Sequence, residues 1–176
     1  MPSPLRAPTR AMKAWIAGIA FVLVTAGLLA CGHSSSPTAP SPPTATLTSD
    51  VRAALERSLQ DEYRAETTYQ GVVNDLGALA PFVNVLSAEQ LHSASIADLF
   101  VRRGLTPPVN GWTLATVPHF VSIPVACGAA ATAERGNVAM YDELLRLTLP
   151  ADVRQVFENV RLASLSNHLP AFERCS

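Results

Sequence analysis

The chain has 176 residues, 48% of them apolar and 15% charged, with a formal net charge of −1. Of its 13 basic residues, Arg6, Arg10 and Lys13 fall before position 47, which leaves ten arginines and no lysine against all 14 acidic residues in positions 47–176. An acidic segment of that size with no basic stripe excludes a nucleic-acid role and suits one domain around one core.

From the N-terminus, Arg6, Arg10 and Lys13 precede an apolar run from Ala14 to Ala30. The run is too short, and its flanking charge too one-sided, for a membrane span; it predicts a secretory signal over residues 1–30. At its end Leu28-Leu29-Ala30-Cys31 resembles the lipobox of bacterial lipoproteins. That resemblance implies cleavage before Cys31, a lipid on that cysteine, and a mature protein anchored to the membrane on the exported side of a bacterial cell envelope, periplasmic or cell-surface. Gly32 to Thr46, GHSSSPTAPSPPTAT, holds no periodic apolar positions and cannot bury enough surface to offset its ordering entropy. Residues 31–46 therefore read as a lipidated cysteine and flexible tether, and 47–176 as the folded domain.

Four helical stripes follow. In the first, Thr48, Ser49 or Asp50 can cap, and Val51, Leu55, Leu59, Val73 and Leu76 recur before Gly77 stops the pattern. The second places Phe82, Val85, Ile96 and Leu99 on one side and ends at Gly104 after two arginines suited to a helix C-terminus. The third is expected from about Val125 to Thr148, with Ala131, Val138 and Leu145 inward, and the fourth from about Ala151 to Phe172. Between the second and third lie about twenty residues with four prolines and no helical pattern, LTPPVNGWTLATVPHFVSIP, whereas the other two connections are short. Short, long, short connections describe two antiparallel hairpins joined by one crossover, the arrangement of a ferritin-like four-helix bundle in an all-α fold.

The inward stripes carry charge. Extended by sevens, the first reads Leu55, Glu62, Tyr69, Leu76, with Glu66 one turn from Glu62; the third reads Cys127, Glu134, Tyr141. The second includes Glu89 and His92, and the fourth Leu165 and His168 at the same interval. Residues on antiparallel neighbours face each other when equally far from the turn. Glu62 and Glu89 are centred near Gly77, Glu134 and Leu165 near Pro150, so the two hairpins form a degenerate repeat at one level. Cys127 and Cys175 are centred on residue 151, which predicts a disulfide between the start of the third helix and the end of the fourth. Burying several carboxylates at one level costs several kcal/mol each unless cations compensate. The domain has no lysine, and Arg64 and Arg135 turn off the shared face. A divalent metal resolves the conflict, and carboxylate with imidazole suits iron, manganese or zinc.

The stretches EYRAETTYQ, PFVNVLSAEQLHSA, AERGNVAMYDELL and SNHLPAFERC together resemble ferritin-like di-iron proteins, similar in metal motif to rubrerythrins and bacterioferritins and closer to ferritin-like domains of bacterial envelope proteins. The resemblance implies Glu62 and Glu134 as terminal ligands, Glu89 as a bridging ligand, His92 and His168 as nitrogen ligands, and Tyr69 and Tyr141 as redox or hydrogen-bonding neighbours. Leu165 stands where the motif has a second bridging glutamate, so two iron positions are expected, the one near His168 weaker, with Glu66 or water filling in. Three functions remain open: reduction of oxygen or peroxide with electrons from an external donor, metal binding without turnover, and a metal-free interaction module. A homodimer is the expected self-association.

Overall fold

The structure is a computed structural model that describes residues 47–175; the signal, the tether and Cys31 lie outside the described residues. The described residues contain no strand. Helix α1 spans Ser49–Leu76, α2 Phe82–Val101, α3 Ile123–Leu144 and α4 Ala151–Ala163. A π-helical turn, Ser164–His168, follows α4 directly and leads into a short α5, Leu169–Glu173. No helix among the described residues is long and apolar enough to cross a membrane.

The ends of these helices follow from local chemistry. Thr48 caps α1 by accepting from the Val51 amide at 3.3 Å. Gly77 (φ 98°) and Gly104 (φ 68°) provide the positive φ needed to leave α1 and the turn beyond α2. Helix α3 stops at Leu144, four residues short of the expected Thr148. Arg154 of α4 covers the end it leaves: its Nη1 and Nη2 donate to the carbonyls of Leu145 and Leu147 at 3.2 and 3.1 Å. Those bonds satisfy carbonyls that have no partner within α3. Of the residues expected inward on α3, Ala131 is buried, while Val138 and Leu145 are half-buried.

The crossover, residues 102–122, is pinned along α1. Trp112 Nε1 donates to the Gln60 carbonyl at 3.0 Å, and the Gln60 side chain bonds Val109 O and Gly111 N in return. At the far end, the disulfide between Cys127 and Cys175 ties the start of α3 to the residues after α5 with a Cα–Cα distance of 5.8 Å. It closes a loop across 48 positions. Cys175→Ser is therefore expected to cost about 4 kcal/mol of unfolding free energy on chain-entropy grounds. A urea midpoint unchanged from wild type would contradict this.

The core has two apolar ends. One packs Leu55, Leu59, Ile96, Leu99, Tyr141, Phe157 and their neighbours; the other packs Tyr69, Phe82, Val85, Ala126, Cys127 and Phe172. Each of the four long elements passes from one end to the other, and at the crossing each is polar: Glu62, Glu89 to Ser93, Glu134 to Asn137, and Ser164 to His168. Hydrophobic burial on both sides holds this middle layer in place although the layer itself is costly to bury.

Candidate metal centre

Glu62, Glu89 and Glu134 are 0%, 1% and 2% exposed, and His168 is 4% exposed. Glu89 sits between the two imidazoles. Its Oε2 lies 3.0 Å from His92 Nδ1 and its Oε1 3.0 Å from His168 Nδ1. His92 Nδ1 is also 3.3 Å from Glu62 Oε2, and His168 Nδ1 is 3.5 Å from Glu134 Oε2. The imidazole rings stack, with centroids 5.3 Å apart and planes at 24°. One ligand atom from each of Glu89, His92 and His168 lies within 4.8 Å of the others. Glu62 and Glu134 flank the trio on opposite sides, one beside each histidine.

Each flanking carboxylate is held from the opposite hairpin. Tyr69 of α1 donates to Glu134 Oε1 at 2.6 Å, and Tyr141 of α3 donates to Glu62 Oε1 at 2.8 Å. Burial, together with the adjacent carboxylate charge, pushes both phenols well above the usual tyrosine range, so both stay protonated and serve as donors.

Without a metal the layer is electrostatically frustrated. Burial raises Glu62 to about 7 despite the His92 imidazole beside it. Burial also opposes charge on the histidines but is outweighed: the carboxylates of Glu62 and Glu89 bring His92 to about 9, and those of Glu134 and Glu89 bring His168 to about 10. For Glu89, burial is overcome by the two histidines, and its pKa is lowered. Arg64 and Arg135 are engaged elsewhere, with Asp61 and Glu173, so neither compensates the layer. Two buried atoms of the layer, Glu62 Oε2 and His168 Nδ1, have no hydrogen-bond partner. His168 Nδ1 lies 3.0 Å from Glu89 Oε1 without making a hydrogen bond to it. Donor atoms that converge on a common region without pointing at one another are what a cation between them would align. Three carboxylates and two imidazoles with two unsatisfied ligand atoms thus fit a divalent metal.

Two sequence expectations need correction. Leu165 does not face the layer; it is 40% exposed. The reason is the π turn, in which the Leu169 amide bonds Ser164 O rather than Leu165 O. An i→i+5 turn admits about one extra residue, so the residue one turn before His168 is Ser164, which is 1% exposed. Glu66 also departs from expectation: it is half-buried and turned toward α2, where Ser93 Oγ donates to it at 3.0 Å.

Sequence reasoning missed Asn137 and Ser164. Ser164 Oγ donates to Asn137 Oδ1 at 2.9 Å, and Asn137 Nδ2 donates to Glu62 Oε1 at 2.8 Å and Asp61 Oδ2 at 3.0 Å. Asn137 was within reach, since it follows Glu134 at the interval that separates Glu89 from His92; the only local hint of the π turn is Pro170, which has no amide to continue an α-helical ladder. Calorimetric titration with ferrous iron or manganese is expected to show Leu165→Glu binding as wild type does. Ser164→Glu should bind the second equivalent more tightly and lose about 1–3 kcal/mol of metal-free stability through an added buried charge. A tighter second equivalent in Leu165→Glu alone would return that role to position 165.

At the level of sequence, neither a family profile nor a curated protein matches the chain. Solved structures do resemble it. A hypothetical protein from Methanococcus jannaschii is 23% identical with a TM-score of 0.66, over 76% of this chain and 83% of that one. A conserved hypothetical protein from Mycobacterium tuberculosis is 19% identical with a TM-score of 0.61, over 73% and 98%. A bacterioferritin-related dodecameric thioferritin from Bacteroides fragilis is 15% identical with a TM-score of 0.58, over 70% and 84%. At these identities the likeness is one of fold, that of a ferritin-like four-helix bundle.

Proposed function

We propose that this chain is a membrane-tethered, ferritin-like non-haem metal protein that reduces oxygen or peroxide. The observation that carries the reading is the convergence of Glu62, Glu89, His92, Glu134 and His168 in one buried layer, with two ligand atoms unsatisfied. Those five residues would hold the metal, iron in first place with manganese or zinc as substitutes. Bound there, iron supplies one-electron redox chemistry in a carboxylate-rich environment. The chain's own part is positional: Tyr69 and Tyr141 fix one oxygen each of Glu134 and Glu62 and keep hydroxyl protons beside the site. The sequence holds no Cys-x-x-Cys pair, so the electrons are expected from an external donor.

The tether belongs to the same reading. Its support is the sequence LLAC at positions 28–31 and the Ser/Pro/Thr-rich run after it. Mass spectrometry of membrane-extracted protein should find a mature chain beginning at lipidated Cys31, and an unmodified Cys31 would remove the anchor.

A second reading, metal binding without turnover, is favoured by Ser164 and Asn137. These neutral groups occupy the corner of the layer where a fourth carboxylate would stand. Anaerobic loading with ferrous iron, then oxygen or peroxide with a chemical reductant, separates the two. Repeated turnover supports reduction, stoichiometric binding without turnover supports the second reading, and no binding refutes both.

A further inference from the structure

A groove of about 410 Å³ opens between α1 and α3 beneath the crossover, and its inner end is the metal layer itself. Its existence follows from the sequence of α3, in which ACGAAATAERG presents mostly small side chains toward α1, Glu134 excepted. Ala126 and Ala130 form buried wall, Ala129 and Ala133 lie exposed at the rim, and a Cβ added at Gly136 would meet nothing within 4 Å. Opposite stand Ala65 and Tyr69, with Phe82 from α2 and Phe120 from the crossover. The space is of ligand size and mainly apolar, with Thr68 and Thr132 among its walls and its charged groups, Asp61, Arg64, Glu89 and Glu134, lining it as well.

Charge narrows the occupant. The inner end is carboxylate, so an anionic head would meet like charge there. Arg64, the lining arginine, is engaged with Asp61 at 2.5 Å and lies 5.9 Å from the Trp112 ring centroid. We propose that this groove binds a neutral, mainly apolar organic molecule with an alkyl or aryl body, its one polar end directed at Glu89 and Glu134. The proposal adds an organic ligand beside the oxygen or peroxide of the metal site and rests on that reading only for what happens at the inner end; binding in the groove stands on its own geometry.

The test is fluorescence titration of the metal-free chain with the neutral probe N-phenyl-1-naphthylamine, beside its anionic relative 1-anilinonaphthalene-8-sulfonate. The neutral probe is expected to saturate at one equivalent with a dissociation constant on the order of 10 µM, and the anionic one to bind roughly tenfold or more weakly. Ala129→Trp and Gly136→Leu, which fill the groove from a rim position and from open space, should each weaken neutral-probe binding roughly tenfold or more while circular dichroism and iron uptake stay as in wild type. Leu162→Ser, at a surface apolar site 57% exposed, should change nothing. Non-saturable binding, or binding equal in wild type and both groove-filling variants, would overturn the proposal, since the probe would then be held elsewhere, the apolar run Ala14 to Ala30 included. Equal affinity for the two probes would overturn its neutral class. Probe binding without iron uptake would sink the metal reading alone, and iron uptake without probe binding the groove alone.

Discussion

Glu89→Gln is expected to lower metal affinity by at least about 100-fold, more than the loss of an outer-shell partner to a ligand. Glu89 is the one carboxylate that reaches both imidazoles, through a different oxygen to each, so a neutral amide removes the charge shared by both halves of the layer. An amide also presents a nitrogen donor where a metal needs an oxygen acceptor. In the metal-free protein the same change strips His92 and His168 of their common counter-charge, and the loss of one partner from a buried ion network costs about 3–5 kcal/mol. Two measurements check this: calorimetric titration with ferrous iron or manganese, and urea unfolding without metal. Wild-type affinity in Glu89→Gln would mean that the metal lies elsewhere. The control is Leu165→Ala, outside the layer, which is expected to leave affinity within a few-fold of wild type.

The second large effect is a pH dependence that reverses when metal binds. Glu62 is raised to about 7, His92 to about 9 and His168 to about 10 in the folded chain. Each folded pKa lies above its unfolded value, so between roughly pH 4.5 and 10 the folded state holds more protons than the unfolded one. Stability falls as pH rises wherever that is so. The contribution of Glu62 is present below about 4.5 and lost through 7; that of the histidines is present below about 6.5 and lost as pH climbs to 9 and 10. Glu89, lowered by its two histidines, acts with the opposite sign only in acid. Metal-free protein should therefore lose a few kcal/mol between about pH 6.5 and 9.5. Metal binding needs the same groups deprotonated, so affinity and the stability gained from metal should rise across that range with release of protons. Thermal melts at several pH values, with and without metal, decide it. A metal-free midpoint that is flat or rising through this window would show that the histidines are not held as cations by Glu62, Glu89 and Glu134.

Much of this protein is determined along the chain. Helical periodicity places Leu55, Glu62 and Tyr69 on one face, and equal distances from a turn place Glu62 opposite Glu89 and Cys127 beside Cys175, because an α-helix advances at a constant pitch and a short connection forces its neighbour to run back beside it. The same regularity makes buried charge visible, since a glutamate at a heptad interval among leucines has nowhere else to point. The tertiary structure decides where that constancy fails or where a neighbour chooses the direction. The π turn inserts one residue and exchanges Leu165 for Ser164 at the layer. Glu66, one turn from Glu62, is held by Ser93 of α2, a partner supplied by the adjacent helix. Asn137 matters because Ser164 and Glu62 arrive on either side of it from other helices. The groove, too, exists only when the alanines of α3 meet α1 under the crossover: small side chains are ordinary in one helix, and become a cavity when two helices are held apart by what packs above and below them.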